Sequence, residues 1–124
     1  MQRKKILLID DDESVLEALK MSFEYFGTEV YPFSEWSANT IQHIINIFPD
    51  LIILDEWLVG IKGSFLCTII KSINQLRRVP IVLISGAHNL AEIAEKSKAD
   101  GYLEKPLGIE EIEKLLNKTF PEGY

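Results

Sequence analysis

Short, wholly apolar runs alternate along this chain with stretches in which apolar residues recur every three or four positions. Ile6–Ile9, Leu51–Leu54 and Ile81–Ile84 contain no polar residue, the pattern of strands buried on both faces. Thr28–Tyr31 and Gly101–Glu104 complete a set of five predicted strands. Between them lie helical stripes. The first runs from Glu13 to Phe26, with Leu16, Leu19, Phe23 and Phe26 inward, and Gly27 stops it. Ser34 is the expected N-cap of a second, whose stripe is Ile41, Ile44, Ile45 and Phe48, closed by Pro49-Asp50. A loop with Gly60 and Gly63 leads into a third, with Leu66, Ile69, Ile70 and Ile73 on one side. The segment from Asn89 to Lys98 carries Leu90, Ile93 and Ala94, and the last helix, from Gly108 to Phe120, turns Ile109, Ile112, Leu116 and Phe120 inward. Five strand–helix units in strict alternation predict an α/β fold, a parallel sheet covered by helices on both faces.

Composition narrows the class. The 124 residues fit one domain, expected over residues 1–124, with a core large enough to need no metal or disulfide staple. Hydrophobic residues make up 47% and charged ones 26%, an ordinary globular balance. The one cysteine, Cys67, cannot form an internal disulfide, so a cytoplasmic location is expected. No apolar run approaches the roughly 18–20 residues of a membrane span. The basic start before Ile6 is followed by only four apolar residues and then three aspartates, which is no signal peptide. A net charge of −6 argues against direct nucleic-acid binding.

In an open parallel sheet, ligands bind beyond the carboxyl ends of the strands. The first strand ends in Asp10, Asp11 and Asp12, the third in Asp55, the fourth in Ser85, and the fifth in Glu104 and Lys105. Carboxylates so grouped raise one another's pKa unless a cation joins them. A hard dication with oxygen ligands, Mg²⁺ above all, relieves that repulsion. Such a site then accepts an anion, which Lys105 pairs with and the Ser85 hydroxyl donates to, with Asp55 as the nucleophile toward a phosphoryl group. Taken singly, each of these residues reads more simply as a cap or turn residue, and one of Asp11 and Asp12 is expected to cap the first helix. Their arrival from four segments at one edge is what points to a site.

With these residues in view, the chain resembles the receiver domain of two-component response regulators over nearly its whole length. The acidic pair after the first strand matches Asp10 and Asp11, the phospho-acceptor at the end of the third matches Asp55, and the Ser/Thr of the fourth matches Ser85. The Lys-Pro after the fifth matches Lys105-Pro106, and the aromatic switch position matches Tyr102. The resemblance implies a flavodoxin-like, doubly wound, five-stranded parallel sheet with five flanking helices. It implies a signalling domain rather than an enzyme, one that assists its own phosphorylation and dephosphorylation at Asp55. Mg²⁺ is then held by Asp11, Asp55 and the Trp57 main-chain carbonyl, with Asp10 acting through water. The implied partners are a histidine kinase or phosphotransfer protein, and an output domain or protein at the helix 4–strand 5–helix 5 face. The Lys105–Pro106 bond is expected to be cis.

Two positions depart from the family pattern. Val59 stands where the family usually has proline, so the loop is expected to be less rigid; Gly63 does match. Trp57 follows Asp55 by two residues, and its indole is expected to restrict water and lengthen the phosphoryl state about 10-fold.

Three other readings compete. A haloacid-dehalogenase-like Mg²⁺ phosphohydrolase would use the Asp10-Asp11-Asp12 motif, but it needs a second acidic pair that Ser85-Gly86-Ala87-His88 lacks, and it leaves Asp55 idle. A flavodoxin-like cofactor binder needs a phosphate-cradling loop where three aspartates stand. A degenerate receiver serving only as an interaction module is disfavoured by the intact residue set. His43 and His88 lack partners at metal spacing, Cys67 reads as a small buried hydrophobe, Trp36 as a packing or half-exposed residue, and Glu110, Glu111 and Glu113 as a solvated helix face.

Overall fold

The computed structural model describes residues 2–86 and 89–124. Strands β1 (Lys5–Ile9), β2 (Glu29–Phe33), β3 (Leu51–Asp55), β4 (Ile81–Ser85) and β5 (Gly101–Glu104) alternate with helices α1 (Glu13–Tyr25), α2 (Ala38–Ile47), α3 (Gly63–Lys71), α4 (Leu90–Ser97) and α5 (Ile109–Thr119). The strands form one parallel sheet in the order β2-β1-β3-β4-β5. The order reverses between β1 and β3, which opens a crevice at their carboxyl ends.

Alternate residues of each strand feed opposite faces. Leu7, Ile9, Ile52, Leu54, Ile81 and Leu83 pack with Ile44 of α2, Leu66, Cys67 and Ile70 of α3, and Ala94 of α4. Ile6, Leu8, Leu51, Ile53, Val82 and Ile84 pack with Leu16, Leu19 and Phe23 of α1 and Ile112 and Leu116 of α5. Both faces are buried, which is why the central strands read as unbroken apolar runs. Truncating one of these side chains to alanine typically costs about 2–5 kcal/mol.

Some boundaries differ from expectation, each for a local reason. β2 continues through Pro32 to Phe33; it is an edge strand, where a residue without an N–H is tolerated. The second helix therefore starts later. Ser37, not Ser34, is its N-cap, and the Thr40 hydroxyl accepts the Ser37 N–H at 2.9 Å in a capping box. Phe48 ends that helix in the left-handed region (φ 52°) and is exposed rather than inward. Ile109, at the first position of α5, is likewise exposed, because the buried stripe of that helix begins only at Ile112. Gly27, with φ 87°, follows α1 as expected.

At the amino end of the sheet, away from the crevice, Lys71 at the end of α3 reaches Asp100 Oδ2 (2.6 Å) and donates to the Val79 carbonyl (2.8 Å). The same Asp100 oxygen accepts the Ile81 N–H at 2.8 Å, and the Asp100 N–H returns to the Ile81 carbonyl at 2.8 Å. One lysine and one aspartate thus join α3, the start of β4 and the loop before β5.

Candidate functional site

Strand register brings the predicted residues to one level. Ile9 pairs with Leu54, Asp55 with Ile84, and Ser85 with Glu104. Asp10, Asp55 and Ser85 consequently end adjacent strands, all three buried. One carboxylate oxygen from each of Asp10, Asp11 and Asp55 lies within 4.8 Å of the other two. The Lys105 ammonium bridges two of them, at 2.8 Å from Asp10 Oδ2 and 3.1 Å from Asp55 Oδ1. The Lys105 N–H donates to the Ser85 carbonyl at 3.1 Å, and the Lys105–Pro106 peptide is cis.

Asp12 takes the capping role, accepting the Ser14 and Val15 N–H groups at 2.9 and 3.2 Å. That leaves Asp11 for the cluster. Asp10 Oδ1 accepts the Asp12 N–H at 3.0 Å, while among the described residues the buried Oδ2 faces the Lys105 ammonium at 2.8 Å.

The charges are unbalanced. Burial, then the charge of Asp10, raises the Asp55 carboxyl above its ordinary 3.8, against the opposing pull of Lys105 and of the Trp57 N–H that bonds it. For Lys105, burial pulls the ammonium down, but hydrogen bonding and charge from Asp10 and Asp55 overcome it and hold the group above 10.5. Three carboxylates with oxygens within 4.8 Å of one another, and one ammonium that bridges two of them, are a donor set that suits a hard dication.

The segment after β3 is not an open loop. Trp57–Leu58 and Ile61–Lys62 pair as a two-rung antiparallel hairpin, turned at Val59-Gly60 with Gly60 at φ 86°. The Val59 N–H donates to Asp11 Oδ2 at 3.1 Å, a bond that a proline at this position could not make. The Trp57 indole does not show the contacts of a shield over Asp55. It is 55% exposed, lies 5.5 Å from Lys62 Nζ across the hairpin, and lines a groove with Phe65 of α3 and Ile93 of α4.

Glu56 was not singled out by pattern. It is buried, and its carboxylate takes the Ser64 N–H (2.6 Å) and hydroxyl (2.9 Å) at the start of α3, a favourable place for an anion. The Glu-to-Ser spacing of eight residues crosses a hairpin, so no local capping motif could reveal it. Tyr102 stands outside the cluster, 47% exposed on β5, and Glu104 is exposed beyond it. His43 is an exposed residue of α2 with an edge contact to Phe33. His88 lies outside the described residues. Burial pushes the Cys67 thiol up to about 11, which leaves it an inert core group.

Known proteins agree with this geometry. The family model described as the response regulator receiver domain matches residues 6–117. The response regulator MprA of Mycobacterium sp. (strain KMS) is 28% identical, with 95% of this chain and 53% of that protein covered. The chain thus spans about half the length of the curated relatives it matches. A crystal structure from Chloroflexus aurantiacus described as a response regulator superposes with a TM-score of 0.88 at 25% identity, covering 98% of this chain and all of that one. A two-component response regulator from Clostridium difficile gives 0.83 at 27% identity, with 97% and 98% covered. With its five-stranded parallel sheet, its carboxylates and lysine gathered at the switch point, and these relatives, the chain belongs to the response regulator receiver domain family, a signalling domain of two-component systems.

Proposed function

We propose that this domain receives a phosphoryl group on Asp55 and that the acquired charge changes its outer surface. The observation that carries the reading is the Lys105 ammonium held between Asp10 and Asp55 at the topological switch point. An Asp55 oxygen forms the new bond to phosphorus. The donor's bond, P–N in a phosphohistidine or P–O in an acyl phosphate, breaks with its electron pair leaving on the donor. Lys105 is placed to pair with the transferred oxygens, and the Ser85 hydroxyl to donate to one of them. Asp10, Asp11, Asp55 and the Trp57 carbonyl would hold Mg²⁺, which supplies countercharge that lets an anion approach three carboxylates.

The donor is a histidine kinase or phosphotransfer protein, and the setting the cytoplasm. Residues 1–124 act as the receiving unit toward an output domain or protein. In the signalling step Ser85 moves toward the phosphoryl group and the exposed Tyr102 turns inward, which remodels the face made by α4, β5 and α5. This is a population shift between two states.

Treatment with acetyl phosphate and Mg²⁺ is expected to add one phosphoryl group by intact mass, and Asp55→Asn to abolish it. Undiminished labelling of that variant would sink the assignment. Labelling lost in Asp10→Asn but kept in Asp55→Asn would favour a phosphohydrolase.

A further inference from the structure

We infer that the main-chain N–H of Val59 is a positioning group that holds Asp11 in the acidic cluster for a divalent cation. The inference rests on the dication reading above and adds a residue to it. Asp11 shares its surroundings with Asp10 and Asp55, each with an oxygen within 4.8 Å. Asp10 and Asp55 are buried and face Lys105; Asp11 is half-exposed and has no such ion pair among the described residues. Repulsion from two anions therefore pushes its carboxylate outward, where water would stabilise it. Against that push stands one hydrogen bond, the Val59 N–H on Oδ2 at 3.1 Å, and among the described residues Asp11's side chain accepts no other.

The rest of the hairpin explains why residue 59 can do this. Pairing of Trp57 with Lys62 and Leu58 with Ile61 leaves Val59 and Gly60 as the turn, and the positive φ of Gly60 closes it. The turn carries the Val59 amide back over Asp11, 48 residues away in sequence. The Val59 side chain is 85% exposed. What this residue contributes is its amide, which any residue except proline would supply. Groups hydrogen-bonded to metal-ligating carboxylates fix their orientation, and losing one commonly costs about 10–100-fold in metal affinity.

The test compares Mg²⁺ affinity by calorimetry for the unphosphorylated 124-residue chain and three variants. Val59→Ala keeps the donor and is expected to bind as wild type does. Val59→Pro removes it and is expected to bind about 10-fold more weakly. Because proline could disturb the turn, semisynthesis replaces the peptide bond between Leu58 and Val59 by an ester, which deletes the N–H and keeps the side chain. That protein is expected to lose affinity to the same extent while its melting temperature in EDTA stays near that of Val59→Ala. Wild-type affinity in the ester protein would overturn the inference and leave the site reading intact. Absence of Mg²⁺ binding by wild type would overturn both.

Discussion

The first residue of α3, Gly63, packs directly on the main chain of Asp55. A β-carbon on Gly63 would stand 2.0 Å from the Asp55 carbonyl oxygen and 2.8 Å from its carbonyl carbon. Neither atom can swing aside as a side chain would, and the Gly63 N–H is already bonded to the Glu56 carbonyl at 2.8 Å. Gly63→Ala must therefore part α3 from the end of β3. A loss of about 1–3 kcal/mol is expected in urea unfolding, together with slower acetyl phosphate labelling. Wild-type values for both would show that the helix can slide without cost.

Glu56→Ala should remove the acceptor for both Ser64 donors and leave the first turn of α3 uncapped. The expected loss is about 1–2 kcal/mol, in the range for a lost helix cap. Glu56→Gln, which keeps an acceptor oxygen, should recover part of it. Equal stabilities of the two variants would place the effect in the lost carboxylate charge, not in the acceptor oxygen or the packing that glutamine keeps.

The charge imbalance predicts opposite responses at Asp55 and Lys105. A carboxyl whose pKa is raised by folding stabilises the fold fully below the unfolded value of 3.8, and that contribution is lost as pH rises through the folded pKa. Asp55→Asn is therefore expected to melt higher than wild type at pH 7 in EDTA, with the advantage shrinking as pH falls through that window. Lys105, raised above 10.5, contributes stability below that value and loses it as pH rises through its folded pKa. Lys105→Met should cost about 2 kcal/mol at pH 7, below the usual penalty for breaking a buried pair because the lysine is partly exposed. Melting curves from pH 4 to 8 would expose a wrong sign at Asp55, and the stability of Lys105→Met at pH 7, followed upward beyond pH 10, would expose one at Lys105.

Trp57→Ala is expected to leave the dephosphorylation half-life within about 2-fold of wild type, since a factor of 10 would need about 1.4 kcal/mol of barrier. The measurable cost is the lost contact with Lys62, about 0.5–1 kcal/mol of stability for an exposed pair. A clearly shortened half-life at saturating Mg²⁺ would restore the indole as a barrier to water.

The parts of this molecule that were legible in sequence are those dictated by short-range pattern. Ile6–Ile9 and Ile81–Ile84 announce two-sided burial, and Asp10, Asp55, Ser85 and Lys105 follow because strand ends in a parallel sheet share one edge. The features that escaped depend on partners far along the chain. The hairpin at Trp57–Lys62 is only two rungs long and has no alternating pattern to betray it. The Glu56–Ser64 cap and the Val59–Asp11 bond exist only once that hairpin folds. Ser34 and Ser37 are chemically equivalent candidates for one cap, and the choice between them was made by how far the edge strand could run beyond Pro32.

The Lys71–Asp100 junction has a mechanical consequence for whatever happens at the opposite end of the sheet. It ties the origin of β4 to the loop before β5 through bonds of 2.6–2.8 Å, while Ser85 and Lys105 lie at the far ends of those same segments. A strand clamped at one end and displaced at the other behaves as a lever with its fulcrum at the clamp. Movement of β4 against β5 should then be smallest at Ile81 and Gly101 and grow toward Ser85 and Glu104. Cutting the clamp with Lys71→Ala would free the fulcrum, so that the same push spreads along both strands instead of concentrating at their tips.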